Sequence, residues 1–141
     1  MSIRQKVYGF IIVALLLLGI LIWSVNRDLQ AARPRSNEFF EFIRLAPVTQ
    51  ITRVELLDIG TNEYIEIIGE RPSILASGPP AYIFDASGQL VDWTSDDGED
   101  PRFQRAWGSP TKRTPATIEY AAELVKQKKL SNSTKPSSNP H

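Results

Sequence analysis

The sequence predicts an α+β fold: an N-terminal transmembrane helix, then a small antiparallel β-sheet domain of about four strands in two hairpins, with flanking helices and a disordered C-terminal tail. Three observations predict it. An uncharged apolar run fills Val7–Val25, two β-rich stretches are punctuated by hairpin residues, and Ser131–His141 is nearly all Ser, Asn, Pro, Thr and Lys.

The apolar run comes first, after a short polar N-terminus (1–6). It reads VYGFIIVALLLLGILIWSV, 19 residues without a charge. As a helix rising about 1.5 Å per residue it extends roughly 28 Å, close to a hydrocarbon core of about 30 Å. A helix is required there because lipid offers the backbone no hydrogen-bond partners. Tyr8 and Trp23 stand near the two ends, where amphipathic rings favour the headgroup level, and are the expected membrane-anchor residues. A cleavable signal peptide has about 7–15 apolar residues before a small-residue cut. Here the run is longer, and the best small pair, Ala31-Ala32, lies behind Asn26-Arg27-Asp28, so an uncleaved single-pass signal-anchor is expected. Orientation signals conflict. Arg27, Arg33 and Arg35 outnumber Arg4 and Lys6, which favours a cytoplasmic domain, whereas a short N-terminal segment before one apolar helix favours export. The reading taken is a plasma or inner membrane with the C-terminal domain on the exported side.

Residues 26–37 read as a polar linker, broken by Pro34, that lifts the domain from the membrane. The soluble α+β domain then covers 38–108. Its first element, Glu38–Ala46, has Ser36 or Asn37 as a cap and Phe39, Phe42, Ile43 and Ala46 on one face, and Pro47 ends it. That face is expected against the sheet; the competing reading rests the helix in the headgroups, because Phe40 adds apolar surface off the stripe. Gln50–Ile59 and Glu63–Ile68 read as strands joined at Gly60-Thr61-Asn62, and Gly69–Pro80 as an irregular connection.

The sharpest local signal is Ala81–Trp93, AYIFDASGQLVDW. Asp85-Ala86-Ser87-Gly88 fits a type I turn closed by a positive-φ glycine. With Asp85 opposite Gln89, Ile83 pairs with Val91 and Ala81 with Trp93, which makes Ala81, Ile83, Val91 and Trp93 the expected core face. Pro80–Val91 is similar to the proline–strand–hairpin piece of thioredoxin-like domains over barely a dozen residues. Without any C-x-x-C it is read as a generic hairpin, and no family is assigned. Arg102–Trp107 reads as a helical turn with Phe103 and Trp107 on the core. A C-terminal helical segment occupies 109–130, its helix starting at Thr114-Pro115 and running to about Lys129, with Ile118, Ala121, Ala122 and Val125 as the apolar stripe. Residues 131–141 form the tail.

Composition narrows the chemistry. Lys plus Arg (16) balances Asp plus Glu (16), so no global field draws nucleic acid. There is no cysteine, and the sole histidine is His141, which removes thiolate chemistry and makes imidazole catalysis an unsuitable reading. No G-x-S-x-G or phosphate-cradling glycine loop occurs. The acidic loop offers Asp96, Asp97, Glu99 and Asp100 as hard oxygen ligands for Ca²⁺. The EF-hand pattern nevertheless fails from Asp92: position three is Thr94, the glycine falls late at Gly98, and position twelve is Phe103. Asn132-Ser133-Thr134 is a sequon in a tail where chance produces one easily. The expectation is a non-catalytic binding or assembly module of a membrane or envelope complex, with no cofactor. It would hold lipid through residues 7–25 and a protein partner or a second copy elsewhere. The alternative is a carboxylate-based Ca²⁺ sensor or small enzyme domain.

Overall fold

The computed structural model describes residues 2–46, 50–72, 76–96, 98 and 112–135. Helix α1 spans Ile3–Ala31. Its start is fixed by a capping box, in which the Gln5 amide donates to Ser2 Oγ and the Ser2 amide to Gln5 Oε1. None of its residues is buried, and it is long and apolar enough to cross a membrane. The helix continues through Asn26–Ala31, where the sequence predicts linker, because nothing in Asn26-Arg27-Asp28-Leu29-Gln30-Ala31 breaks a helix. Pro34 does, by disfavouring helical backbone at Arg33. Only 33–37 remain as connection, and they do not hold the domain away. Ala32 is itself buried, and the Tyr82 hydroxyl donates to its carbonyl.

Helix α2, Phe39–Leu45, is capped by Glu38, whose Oε2 accepts from the Glu41 amide at 2.9 Å, and not by Ser36 or Asn37. Phe39 and Phe42 are buried, with ring centroids 5.3 and 5.2 Å from Phe84. This places the Phe39–Phe42 face of α2 on the sheet.

The sheet has five antiparallel strands, one more than the sequence pattern suggests, in the order β4-β3-β2-β1-β5. Strands β1 (Ile51–Ile59) and β2 (Asn62–Gly69) turn at Gly60-Thr61, with Gly60 at φ +64° as the positive-φ first residue of a tight hairpin. Strands β3 (Ala81–Asp85) and β4 (Leu90–Thr94) form the second hairpin. Its turn follows expectation: the Asp85 amide donates to Gln89 O, Gly88 lies at φ +87°, and Asp85 Oδ1 accepts from the amides of Ser87 and Gln89.

The register beyond that turn does not follow expectation. Phe84 pairs with Leu90, but Ile83 pairs with Asp92 and Tyr82 with Trp93, so a bulge at Val91 shifts everything after it by one residue. A one-residue shift exchanges faces. Val91 becomes exposed and Trp93 packs towards the main core; in β3 the residues of that core are Tyr82 and Phe84, and the expected Ala81 and Ile83 are buried outside it.

Strand β5, Lys112–Ala116, lies where the sequence predicts the start of a helix. Thr114-Pro115 suits a helix start and also an outermost strand, where proline's missing N–H costs no ladder bond. Helix α3 begins two residues after that strand, at Ile118, with the Thr117 hydroxyl accepting from the Tyr120 amide, and runs to Ser133, past the predicted end near Lys129. Ala121 and Val125 are its buried stripe.

The main core lies between α2 and α3 on one side and Val54, Leu56, Ile65, Ile67, Tyr82 and Phe84 on the other. The opposite sheet face is buried as well, at Leu57, Glu66, Ile68 and Ile83. The sheet is therefore covered on both faces, which accounts for the unbroken apolar run Ile67-Ile68 in β2.

Candidate functional site

Three features stand out once the fold is in place. The first is α1 itself. Tyr8 and Trp23 are both exposed and lie 15 residues apart, about 22 Å along a helix, and the Arg27 guanidinium sits 5.3 Å from the Trp23 ring centre.

The second is a cleft of about 380 Å³ where α1 meets the domain. Five separate segments line it: the last turn of α1 with 31–35, the end of α2, the start of β1, the 69–72 connection, and Pro80 with Tyr82. Ala31, Phe42, Ala46, Ile51, Pro80 and Tyr82 supply apolar wall, and Arg33, Arg35 and Arg71 supply cationic rim. Arg71 donates through Nε and Nη2 to the Ala76 carbonyl, which fixes its side chain. Arg33 and Arg35 are exposed and, among the described residues, have no ion-pair partner. Two carboxylates also line the cleft. Asp28 lies 3.7 Å from Arg27, and Glu70 is exposed. Burial pushes the Tyr82 hydroxyl up to about 12, so it remains a hydrogen-bond donor at any physiological pH.

The third is a buried ionic cluster on the opposite sheet face. Glu66 is 1% exposed. Its Oε2 accepts from Arg113 Nη1 at 3.1 Å, while the same nitrogen donates to Glu55 Oε2 at 2.8 Å. Glu66 Oε1 has no hydrogen-bond partner among the described residues. Burial raises the Glu66 carboxyl above its usual range, against the opposing pull of Arg113. One cation from β5 thus ties together neighbouring residues of β1 and β2, paired across the ladder.

The acidic loop divides. Asp97, Glu99 and Asp100, with Phe103, Trp107 and the tail from 136, lie outside the described residues. Asp96 is half-buried and accepts from the Ser95 hydroxyl at 3.2 Å, and the Gly98 amide donates to Pro79 O. A side chain at Gly98 would meet Pro79 O at 2.7 Å, so this end of the loop is packed against β3. Among the described residues no three acidic or histidine side chains come together in a metal-holding group. Asp85 is committed to its turn.

The sequence pattern brought out Tyr8, Trp23 and Arg33 and Arg35, the arginines as orientation charges. It missed Arg71, Tyr82 as the clasp on α1, and the Glu66–Arg113 pair. The chain matches no protein-family profile, no curated protein and no solved structure.

Proposed function

We propose that this chain is a single-pass, membrane-anchored binding or assembly module without catalytic activity, its sheet domain on the exported side of a plasma or inner membrane. The observation that carries the reading is α1, a 29-residue helix with no buried residue, joined directly to a packed domain. In water that much apolar surface is strongly unfavourable, and a bilayer removes the cost. The shape of α3 supports a contact role. Val125 is its last buried residue, yet the helix runs on for about two turns with Lys126 and Lys128 exposed. Lys129 ties that stretch to Glu38, and its exposed lysines are open to a partner. The α2 face, by contrast, is consumed by the core.

Alkaline carbonate washing of membranes, followed by flotation, tests the anchor: the full-length chain should stay with the lipid. Site-specific photocrosslinking from Lys128 in native membranes tests the contact, with a discrete heterologous product expected. Crosslinks only to the chain itself contradict an assembly role. A C-terminal reporter fusion active only in the exported space is expected.

A further inference from the structure

The cleft between α1 and the domain has a depth as well as a chemistry. The uncharged run ends at Val25, and the first residue lining the cleft is Asp28, three residues on. Along a helix that is about 4.5 Å, and the headgroup layer on each side of a bilayer is roughly 5–7 Å thick. Because Tyr82 fastens Ala32 to the sheet, the cleft cannot drift away from that level on a loose tether. It opens among headgroups, with an apolar wall and three guanidinium groups around it.

From this juxtaposition we propose that the cleft lined by Arg33, Arg35 and Arg71 binds the phosphate headgroup of an anionic phospholipid from the adjoining leaflet. The inference rests on α1 lying in the bilayer. Guanidinium groups suit the site because they present paired N–H donors to phosphate oxygens. Arg71 is prepositioned by its bonds to Ala76 O, and Arg33 and Arg35, with no ion-pair partner among the described residues, have donors to spend. The apolar wall of Ala31, Ala46, Ile51 and Pro80 fits the glycerol ester region that follows a phosphate, which free phosphate would leave uncovered. Glu70 opposes an anion, and its position in the rim sets a limit on affinity.

The test uses the full chain in nanodiscs of mixed phosphatidylcholine and phosphatidylglycerol, with retained lipids identified by native mass spectrometry. The wild type should retain phosphatidylglycerol preferentially. Basic residues near a membrane surface each contribute roughly fivefold to anionic-lipid binding, so R33A/R35A should lose about thirtyfold in preference. R33K/R35K, which keeps the charges but not the paired donors, should keep only part of it, and K126A/K128A, remote on α3, should keep all of it. E70Q, which leaves all three arginines in place and removes a carboxylate from the rim, should raise it severalfold, so the idea remains testable if R33A/R35A folds poorly. Equal retention of both lipids by the wild type, an undiminished preference in folded R33A/R35A, or no rise in E70Q would each overturn the assignment. Loss of the preference in millimolar inorganic phosphate would assign the site to the free anion and overturn the lipid. A chain that floats with vesicles but shows no headgroup preference refutes only the cleft; a chain that fails to float refutes the anchor.

Discussion

Replacing Glu66 with glutamine asks whether a negative charge inside the sheet domain is a burden the fold carries. Glu66 is 1% exposed, its Oε2 shares Arg113 with Glu55, and its Oε1 has no partner among the described residues. An unsatisfied buried polar group costs about 1–3 kcal/mol, more when charged. Glutamine keeps the shape and an acceptor for Arg113 while discarding the charge, and Glu55 continues to neutralise Arg113. A stabilisation of about 1 kcal/mol at pH 8 is expected, a rise of roughly 4–8 °C in Tm for a domain of this size. The pH dependence carries the sharper content. Burial raises the folded-state pKa of Glu66 above its ordinary 4.5 despite Arg113, so the folded state holds a proton that the unfolded chain has released. The penalty is therefore complete above the folded pKa, and it is relieved as pH falls towards the unfolded value. The advantage of E66Q should be largest at pH 8 and gone near pH 4. Thermal melts of the full-length chain in detergent, followed by circular dichroism from pH 4 to 8, measure it. A variant destabilised equally at every pH would refute the reasoning, because Glu66 would then act as an anchor for Arg113 whose charge is fully compensated.

Three further outcomes follow from the same geometry. Tyr82→Phe removes the donor to the Ala32 carbonyl, a loss of about 1–2 kcal/mol, and should speed tryptic cleavage after Arg35 in detergent-solubilised protein; an unchanged cleavage rate would show that the clasp does not hold the junction. Gly88→Ala should cost about 2–3 kcal/mol by thermal melt, since Gly88 lies at φ +87° and a Cβ there would sit 2.7 Å from Val125 Cγ1. Lys129→Ala breaks the 2.6 Å pair with Glu38, whose sides are both more than a third exposed, so about 0.5 kcal/mol is expected at pH 7 and low salt. Burial acts to raise the Glu38 carboxyl, but its bonds from Lys129 and from the Glu41 and Phe40 amides together hold it below its ordinary 4.5. The contribution of the pair is thus present above pH 4.5 and lost as pH falls through the folded pKa, so the variant and wild type should converge near pH 3.

The legible parts of the fold were those set by neighbouring residues. The span at Val7–Val25, the turns at Gly60 and Asp85–Gly88, and the Ala121–Val125 stripe all depend on local spacing, and all lie where that spacing puts them. What spacing could not carry was the effect of distant pairing. Nothing within Ala81–Trp93 announces the bulge at Val91, because an extra residue in one strand is defined only by the partner strand. That single bulge decides whether Asp92 or Trp93 lies opposite Tyr82 on the core face. Likewise Lys112–Ala116 is too short and too polar to signal a strand by itself, and it is one because β1 offers a free edge beside it.

The same distinction explains the candidate sites. Glu66 occupies what reads as the solvent side of an alternating strand, and only the adjoining Ile67-Ile68 pair hints that both faces of β2 are covered. The lipid-level cleft draws on five stretches between Asp28 and Tyr82, and no motif spans so dispersed a set. Arg33 and Arg35 were nevertheless visible as a basic flank to the apolar helix. Their position acquires meaning from the rigid junction: a flexible spacer would leave Arg33 and Arg35 as orientation signals that drift through solvent. Holding Ala32 against Tyr82 instead fixes those charges at one depth beside Arg71, and turns a topological signal into a candidate recognition surface. Tyr82→Phe should then weaken the anionic-lipid preference without removing any cation from the cleft, which distinguishes a preorganised site from a diffuse basic patch.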